Sequence, residues 1–264
     1  MAIASSGITG SIGKHLQNVY PLRARLGDEV SVIERDFRSL NSEVYVHLAA
    51  LTDTSEAYRL KERSEDLNVT GALRVMEAFA KCGGSRFIFA SSSHVYGTTK
   101  QGMESIETDI PMPLSLYGIH KLAAEQQLSE MAYDYNIELV IARIFSVFGP
   151  NMAKHYLASK VYDAIELPIE SQEYPFITNG QDVRDFLSPL EVAETLIRLA
   201  KIQTLNSNIE IVNICSGKGL SFREKVLEIV PSWPANRIEQ SNSNNPYLVG
   251  SANKLKHMFI NKKI

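Results

Sequence analysis

The chain has 264 residues, of which 44% are hydrophobic and 22% charged, and its formal net charge is -3. This composition is typical of a globular protein, and the slightly acidic balance argues against a nucleic-acid partner. No apolar run approaches the ~20 residues of a membrane span, and Cys82 and Cys215 lack the spacing of a metal site. We therefore expect a cytoplasmic protein without a membrane segment or a metal.

A glycine-rich turn follows the first predicted strand, residues 2–5. Gly7, Gly10 and Gly13 recur between that strand and a predicted helix over 12–20. Glycines let the backbone turn sharply and approach a pyrophosphate, while a helix N-terminus offers free N–H groups. The turn therefore predicts a dinucleotide-binding site. Its residues are Gly7, Thr9, Gly10, Ser11, Ile12 and Gly13.

The next predicted strand, 29–33, leaves two registers open. If it is the second strand of the sheet, Glu34 holds the adenosine ribose of the dinucleotide. If it is the third strand, Asp36-Phe37 flank the adenine, and Arg23 or Arg25 lies near the ribose. A carboxylate at the ribose is typical of NAD and a basic residue of NADP, so the cofactor is predicted as NAD or NADP.

Strands and helices then alternate along the chain. Short apolar runs predict buried strands, and apolar residues at helical spacing predict helices. The alternation predicts an α/β fold, a doubly wound parallel sheet of the Rossmann type. The predicted strands are 43–50, 85–90, 137–145 and 208–215, and the predicted helices are 62–81, 116–133, 153–165, 189–203 and 222–229.

The pattern changes near residue 150, after Gly149-Pro150. We expect residues 1–150 to form the dinucleotide-binding domain and residues 151–264 a smaller substrate-binding part. Within the second part, a stretch of about 187–215 is expected to pack back on the first domain.

Two predicted strands end in residues suited to a binding site. Leu48, Ala49 and Ala50 end strand 43–50, and the two alanines would let a cofactor lie against the backbone. Serines follow strand 85–90, where open α/β sheets bind ligands and where a hydroxyl can bond a substrate oxygen. Serine-rich loop ends are also ordinary turn chemistry, so both interpretations stand at this point.

The predicted helix 116–133 carries Tyr117 and Lys121 four residues apart. Positions i and i+4 share one face of a helix, so the phenol and the ammonium are expected to lie side by side. A neighbouring cation favours the phenolate and would lower the pKa of the tyrosine. Such a tyrosine can exchange a hydroxyl proton while a hydride moves at carbon.

Seven short motifs succeed one another along the chain. They are Ser6-Gly7-x-x-Gly10-x-x-Gly13, His47-Leu48-Ala49-Ala50, Ser91-Ser92-Ser93-His94-Val95-Tyr96-Gly97, Tyr117-Gly118-Ile119-His120-Lys121, Arg143-Ile144-Phe145-Ser146-Val147-Phe148-Gly149-Pro150, Arg184-Asp185-Phe186 and Asn213-Ile214-Cys215-Ser216-Gly217. In this order they resemble the extended short-chain dehydrogenase/reductases that act on nucleotide sugars, the NAD-dependent epimerase/dehydratase family.

The resemblance implies a catalytic set of Ser92, Tyr117 and Lys121. Ser92 would hold the sugar oxygen, Tyr117 would exchange its proton, and Lys121 would bind the nicotinamide ribose. Arg184 would pair with the diphosphate of a nucleotide-sugar substrate, a role suited to a guanidinium. The resemblance also implies a homodimer.

The departures from the family pattern narrow the reaction. Ser93 and His94 stand where the family's sugar 4,6-dehydratases carry Asp-Glu, which argues against 4,6-dehydration. In other members the position of His94 holds a catalytic cysteine, whose partner falls near Lys160 here. His94 is therefore either an acid/base paired with Lys160 or a residue that shapes the substrate site. Ser146 replaces a substrate-binding asparagine, so Ser93, His94, Ser146 and Arg184 are the predicted substrate contacts.

The leading prediction is an NAD(P)-dependent enzyme that transfers a hydride at C4 of a nucleotide sugar. It would act as a 4-epimerase, which retains its cofactor, or as a 4-keto reductase, which must release it. The alternative is a non-catalytic dinucleotide-binding or redox-sensing module of the same fold. Such a module needs the glycine turn but not Ser92, Tyr117 and Lys121 together.

Overall fold

The structure, a computed structural model, describes residues 1–168, 171, 173–239 and 246–261, without the Asn261 side chain. Residues 169, 170, 172, 240–245 and 262–264 of the predicted second part lie outside the described residues. The strands are β1 (Ile3–Ser5), β2 (Tyr20–Pro21), β3 (Val44–His47), β4 (Arg86–Ser92), β5 (Glu138–Ile144), β6 (Ser146–Val147), β7 (Val183–Leu187), β8 (Ile209–Ile214), β9 (Gly219–Ser221) and β10 (Tyr247–Leu248). The helices are α1 (Val30–Leu40), α2 (Thr54–Arg59), α3 (Lys61–Glu65), α4 (Gly71–Lys81), α5 (Leu116–Asp134), α6 (Leu157–Asp163), α7 (Pro189–Lys201), α8 (Phe222–Ile229) and α9 (Asn253–Asn261).

Among the described residues, six parallel strands form the main sheet in the order β2-β1-β3-β4-β5-β8. The chain starts inside the sheet and winds outward in both directions, which confirms the predicted doubly wound α/β fold. The winding direction reverses between β1 and β3, and ligands of such sheets bind in the crevice beyond the carboxyl ends of the strands. The fold therefore places a candidate site at the ends of β1, β3, β4 and β5.

The sheet is buried on both faces, which explains its nearly continuous apolar strands. On one face α1, α4 and α5 cover a core in which Phe37 and Tyr45 pack edge to face at a centroid distance of 5.1 Å. On the other face Leu196 and Leu199 of α7 and Met258 of α9 form the second core. Each such side chain contributes about 1.5–3 kcal/mol by burial. No helix within the described ranges is long and apolar enough to cross a membrane.

A smaller sheet in the described part of the chain has the order β10-β7-β6, with β9 paired to β7. Helices α6 and α8 lie beside it over a third apolar cluster, in which Tyr174 and Trp233 pack at a centroid distance of 5.1 Å. Strand β8, which follows β7 and α7 in sequence, joins the main sheet. The division of the chain at residue 150 stays a prediction.

The predicted helix over 12–20 is wrong. A single 3-10 turn, Gly13–His15, is present, and the chain is already extended at Leu16 with ψ 121°. Asn18 has φ 57°, a left-handed conformation that does not continue a helix. By Tyr20 the chain has entered β2, parallel to β1, so residues 6–19 make the crossover without a regular α-helix.

The predicted strand over 29–33 is also wrong, because these residues begin helix α1. Ile33 and Phe37, one turn apart, are buried in the core, whereas Val32 is exposed. That pattern belongs to an amphipathic helix with one buried face. The β-branched residues Val30, Val32 and Ile33 suggested a strand, but a short apolar run does not distinguish strand from helix.

Candidate active site

A cavity of about 740 Å³ opens at the carboxyl edge of the main sheet. This volume is in the range of small-molecule sites in proteins. The predicted site residues in its wall are Gly7, Thr9, Gly10, Ser11, Ile12, Gly13, Leu48, Ala49, Ala50, Ser92, Ser93, His94, Tyr117, Lys121 and Ser146. The structure therefore brings the glycine turn, the strand ends and the Tyr–Lys pair to one place.

The glycine turn follows β1 and packs tightly against the end of β3. Gly7 has φ +67°, and a Cβ there would lie 2.9 Å from the backbone N of Ala49. The Gly10 N–H donates to the Gly7 carbonyl at 3.0 Å and closes the turn. Within the described residues, the N–H groups of Ser11 and Ile12 have no hydrogen-bond partner, although both residues line the cavity. A turn with free N–H groups suits an anionic ligand such as a pyrophosphate.

The loop after β3 forms the facing wall and is fixed by side chains. The Ala49 N–H donates to Ser6 Oγ at 3.1 Å. The buried Asn68 side chain accepts from the Leu51 N–H at 2.7 Å and donates to the Leu51 carbonyl at 3.0 Å. Hydrogen bonds on both sides hold Ala49 and Ala50 close to the glycine turn, so only small side chains stand between the two backbones.

Ser92, Tyr117 and Lys121 meet where β4 ends and α5 begins. Ser92 is the last residue of β4, and its side chain forms a hydrogen bond with Tyr117. Helix α5 is capped by Ser115, whose Oγ accepts from the Gly118 N–H at 3.1 Å, and this cap sets Tyr117 in the first turn. One turn later, Lys121 Nζ donates to the Ala90 carbonyl at 2.8 Å.

The electrostatics of the pair differ from the expectation. Burial raises the pKa of the Tyr117 phenol well above its usual range, although the bond with Ser92 opposes this shift. Burial also lowers the pKa of Lys121 to about 7, which Glu125 partly opposes. Lys121 Nζ lies 5.8 Å from the Tyr117 ring centroid. Its ammonium therefore does not overcome the cost of forming a buried phenolate in this structure.

His94 lies beside Tyr117 at the edge of the cavity. The two rings meet edge to face with centroids 5.7 Å apart, and His94 Nδ1 is 3.2 Å from Ser115 Oγ. The surrounding protein and, secondly, the Arg184 guanidinium lower the pKa of His94. Because part of the residue is exposed to solvent, we expect burial to act on it less than on Tyr117. A neutral imidazole in this position can contact a ligand in the cavity.

Arg184 and Lys160 do not line the cavity. Arg184, on β7, donates to the carbonyls of Val183 and Pro246 and pairs with Asp182 at 3.3 Å. Lys160 is exposed on α6. The structure thus places both residues outside the cavity wall, and the expected pairing of Lys160 with His94 stays a prediction.

Residues 29–33 were predicted as either the second or the third strand of the sheet, with different cofactor contacts in each case. Neither alternative applies as stated, because the segment begins helix α1. Glu34 lies on α1 and pairs with Arg38 at 2.9 Å. Asp36 accepts hydrogen bonds from the N–H groups of the loop before the helix, and Phe37 is 2% exposed in the core. None of the three lines the cavity. A core position excludes Phe37 from contact with an adenine ring.

A buried ion pair joins helix α5 to the neighbouring strand β5. Arg143 Nη2 and Glu125 Oε2 are 2.7 Å apart, Arg143 Nε bonds the second oxygen at 3.1 Å, and both side chains are almost fully buried. The Ser91 hydroxyl also donates to Glu125. This cluster ties β4 and β5 to α5 and so fixes the helix that carries Tyr117.

Comparison with known proteins identifies the family. The model of the NAD dependent epimerase/dehydratase family matches residues 24–215. The chain belongs to the NAD-dependent epimerase/dehydratase family. The glycine turn precedes the matched range, in agreement with its unusual crossover.

Among the relatives of this family member is GDP-6-deoxy-D-mannose reductase of Pseudomonas aeruginosa, which is 27% identical over 84% of this chain and 76% of that protein. A putative UDP-glucose 4-epimerase of Methanocaldococcus jannaschii is 29% identical over 69% of this chain but only 58% of its own length. Among solved structures, RMD from Pseudomonas aeruginosa complexed with NADPH has a TM-score of 0.82 at 24% identity, covering 98% of this chain and 92% of that one. The UDP-glucose 4-epimerase of Thermus thermophilus in complex with NAD has a TM-score of 0.81 at 24% identity, covering 97% and 92%. At this identity the structural likenesses show the fold.

Sequence reasoning missed Tyr156 in this epimerase/dehydratase family member. Tyr156 lines the cavity immediately before α6, and its hydroxyl lies 2.5 Å from Thr52 Oγ1, which follows β3. Burial raises the pKa of Tyr156. The negative charge of a Tyr156 phenolate would add to the effect of burial in raising the pKa of Tyr117. The two residues are 104 positions apart, and no sequence pattern links them.

Proposed function

We propose that this chain is an NAD(P)-dependent nucleotide-sugar oxidoreductase that transfers a hydride at C4 of the sugar, as a 4-keto reductase or a 4-epimerase. The observation that carries the proposal is the meeting of Ser92, Tyr117 and Lys121 in one cavity with the glycine turn. Relatives in the same family include a GDP-6-deoxy-D-mannose reductase and UDP-glucose 4-epimerases, which supports this class of reaction.

The residues of the cavity fit an NAD(P) cofactor. The free N–H groups at Ser11 and Ile12 suit its pyrophosphate, and the small residues Ala49 and Ala50 leave room against the backbone. Lys121 Nζ donates one hydrogen bond to the Ala90 carbonyl, and its other hydrogens can be donated to ribose hydroxyls. When bound, the nicotinamide would supply or accept the hydride.

Tyr117 would exchange the proton that accompanies the hydride. In the reductive direction, Ser92 holds the C4 carbonyl oxygen, C4 gains the hydride, and the Tyr117 hydroxyl gives its proton to that oxygen. The raised pKa of Tyr117 keeps the phenol protonated near neutral pH, which suits a proton donor. In the oxidative direction, Tyr117 would have to take a proton from the sugar hydroxyl as a phenolate.

The residues beside Tyr117 support simple hydride transfer rather than 4,6-dehydration. Ser93 and His94 line the cavity, where a dehydratase would need a carboxylic acid and a carboxylate. We propose that Ser93, His94 and Ser146 contact the sugar, with His94 shaping the site, because Lys160 is not in the cavity wall that His94 lines. Arg184 would need to leave its bond to Asp182 to reach a diphosphate.

The test is turnover with defined substrates. The full chain is incubated with NADPH or NADH and a 4-keto nucleotide sugar, and separately with NAD and UDP-glucose, and nicotinamide oxidation and epimer formation are measured. Oxidation of one reduced cofactor for each 4-keto sugar consumed identifies a reductase. Epimer formation without net oxidation or reduction of the cofactor identifies an epimerase.

Tyr117→Phe distinguishes the enzyme from a non-catalytic module of the same fold. We expect this variant to lose turnover while dinucleotide affinity stays within about twofold, because the hydroxyl moves the proton but does not hold the cofactor. The control is Tyr133→Phe on the same helix, where the side chain is exposed. Full activity of Tyr117→Phe would refute the proton-transfer role. Dinucleotide binding without any turnover by the unsubstituted chain would favour the non-catalytic module.

The homodimer, the cytoplasmic location and the two-part domain division stay predictions.

A further inference from the structure

The loop that follows β2 leaves the sheet at the same edge as the glycine turn. Strands β1 and β2 are parallel, with Ser5 opposite Pro21, and the Leu22 N–H donates to the Ser5 carbonyl at 2.8 Å. Arg23 therefore begins beside the start of the glycine turn. Leu26, at the end of this loop, lines the cavity. The loop therefore borders the cavity through Leu26, whereas Arg23 and Arg25 are not among the residues of its wall.

Two arginines in this loop have uncommitted side chains. Arg23 and Arg25 are exposed, and neither guanidinium forms an ion pair or hydrogen bond with any residue that the structure describes. Their backbone N–H groups are engaged, since Asp36 accepts from Arg23 and Asp28 accepts from Arg25 at 2.8 Å. The loop backbone is therefore held in place while both positive side chains are free to bind a ligand.

The nearby carboxylates are not placed to bind a ribose. Asp36 also accepts from the Ala24 N–H at 2.9 Å, so its oxygen is shared between two backbone donors. Glu34, one candidate for the ribose, pairs with Arg38 on α1. In dinucleotide folds, the end of the second strand meets the adenosine ribose. A carboxylate there bonds the 2′-hydroxyl of NAD, whereas an arginine accommodates the 2′-phosphate of NADP.

We propose that Arg23 and Arg25 form a 2′-phosphate subsite and that this chain therefore selects NADP(H) over NAD(H). The inference rests on the proposed function, because it assumes that the cavity holds a dinucleotide. Two guanidinia can share the phosphate oxygens through charge-assisted hydrogen bonds, which NAD(H) has no group to accept. Asp28 and Asp36 remain negative beside this subsite and reduce the gain without removing it.

The experiment is direct binding, measured by titration calorimetry on the full chain at low salt. The ligands are NADPH, NADH, adenosine 2′,5′-bisphosphate and 5′-AMP, and the variants are Arg23→Gln, Arg25→Gln and the double substitution. The unsubstituted chain should bind NADPH at least about tenfold more tightly than NADH. The double variant should lose about tenfold or more in affinity for NADPH and for the bisphosphate, and less than about twofold for NADH.

Lys201→Gln is the charge-matched control. Lys201 is exposed at the end of α7, near the start of β4, because Arg86 donates to the carbonyls of its neighbours Leu199, Ala200 and Ile202. It therefore lies at the opposite edge of the sheet and should leave all four affinities unchanged.

Each result decides between the two proposals. Equal affinity for NADPH and NADH, tighter NADH, or an equal loss of both in the double variant would overturn the subsite while leaving the proposed function standing. A chain that binds neither dinucleotide would overturn the proposed function and the subsite with it. Because both arginines are exposed and their side chains unpaired, the variants should fold, and unchanged circular dichroism would establish that they do.

Discussion

The buried ammonium of Lys121 should make this chain less stable than a variant without it. Lys121 is 2% exposed and gives one hydrogen bond to the Ala90 carbonyl. Its Nζ lies 4.7 Å from the centroid of the Phe89 ring, and no ion pair forms with it among the described residues. We predict that Lys121→Met, which keeps the length of the side chain, raises the free energy of unfolding at or below neutral pH.

The magnitude follows from the pKa of Lys121, which burial lowers from 10.5 to about 7. At 1.36 kcal/mol for each pH unit, charging the buried amine costs about 5 kcal/mol relative to the unfolded chain. The methionine forfeits the bond to the Ala90 carbonyl, which offsets about 1–3 kcal/mol of that gain. The net stabilisation expected is therefore about 2–4 kcal/mol at pH values below about 7.

The pH dependence of stability independently tests the predicted sign of the change in unfolding free energy. Between about pH 7 and pH 10.5 the unfolded chain holds the Lys121 proton and the folded chain does not. Unfolding then takes up a proton, so the stability of the unsubstituted chain rises with pH across this window. The advantage of Lys121→Met should accordingly shrink as the pH rises, with more than half of the charging cost relieved by about pH 9.

Urea unfolding followed by circular dichroism at about pH 6.5 and about pH 9 measures both effects. Lys160→Met is the matched control, because Lys160 is exposed on α6 and should show little change at either pH. A variant at Lys121 that is less stable at the lower pH, or whose advantage does not change with pH, would refute the reasoning. We also expect Lys121→Met to lose turnover, so stability and activity should move in opposite directions.

Three further substitutions test other parts of the site. Glu125→Gln leaves the buried Arg143 charge without its partner and should cost about 3–5 kcal/mol of unfolding free energy, measured by urea titration. Gly7→Ala forces a strained φ of +67° and a backbone contact and should cost about 1–3 kcal/mol, read as a lower Tm, whereas Gly27→Ala meets open space and should be nearly neutral. Tyr156→Phe removes one hydroxyl from the cavity wall and should raise the KM for the nucleotide sugar by about 2–10-fold. An unchanged KM would separate Tyr156 from substrate binding.

The elements predicted well are those in which the pattern of apolar residues in the local sequence agrees with their burial in the structure. Strand β4 is buried along its whole length and contains the apolar run 87–90, and α5 spans the predicted 116–133 with one added residue. Tyr117 and Lys121 were predictable as neighbours because a helix fixes the relation of i and i+4. Their grouping with Ser92 was implied by the family resemblance, and the structure has all three residues in the wall of one cavity.

The failures share a different cause. The segments 12–20 and 29–33 are short and mix apolar with polar residues, so the local pattern does not decide their secondary structure. The geometry there depends on contacts distant in sequence, such as the Leu22 bond to Ser5 and the burial of Phe37 beneath α4. Tyr156 was missed for the same reason, since its partner Thr52 comes from the other side of the cavity.

The shortened crossover and the arginine loop both determine how much positive charge the protein offers to the phosphates of the cofactor. In most dinucleotide folds a regular helix after the glycine turn directs its positive dipole end at the pyrophosphate. Here residues 6–19 hold a single 3-10 turn, so that contribution is reduced to the N–H groups of the turn itself. The remaining positive charge at this end of the cavity would come from side chains, and Arg23 and Arg25, whose guanidinium groups have no partner among the described residues, lie one strand away. Where the helix dipole is missing, binding of the additional phosphate of NADP(H) by the two arginines would replace part of the lost electrostatic stabilisation.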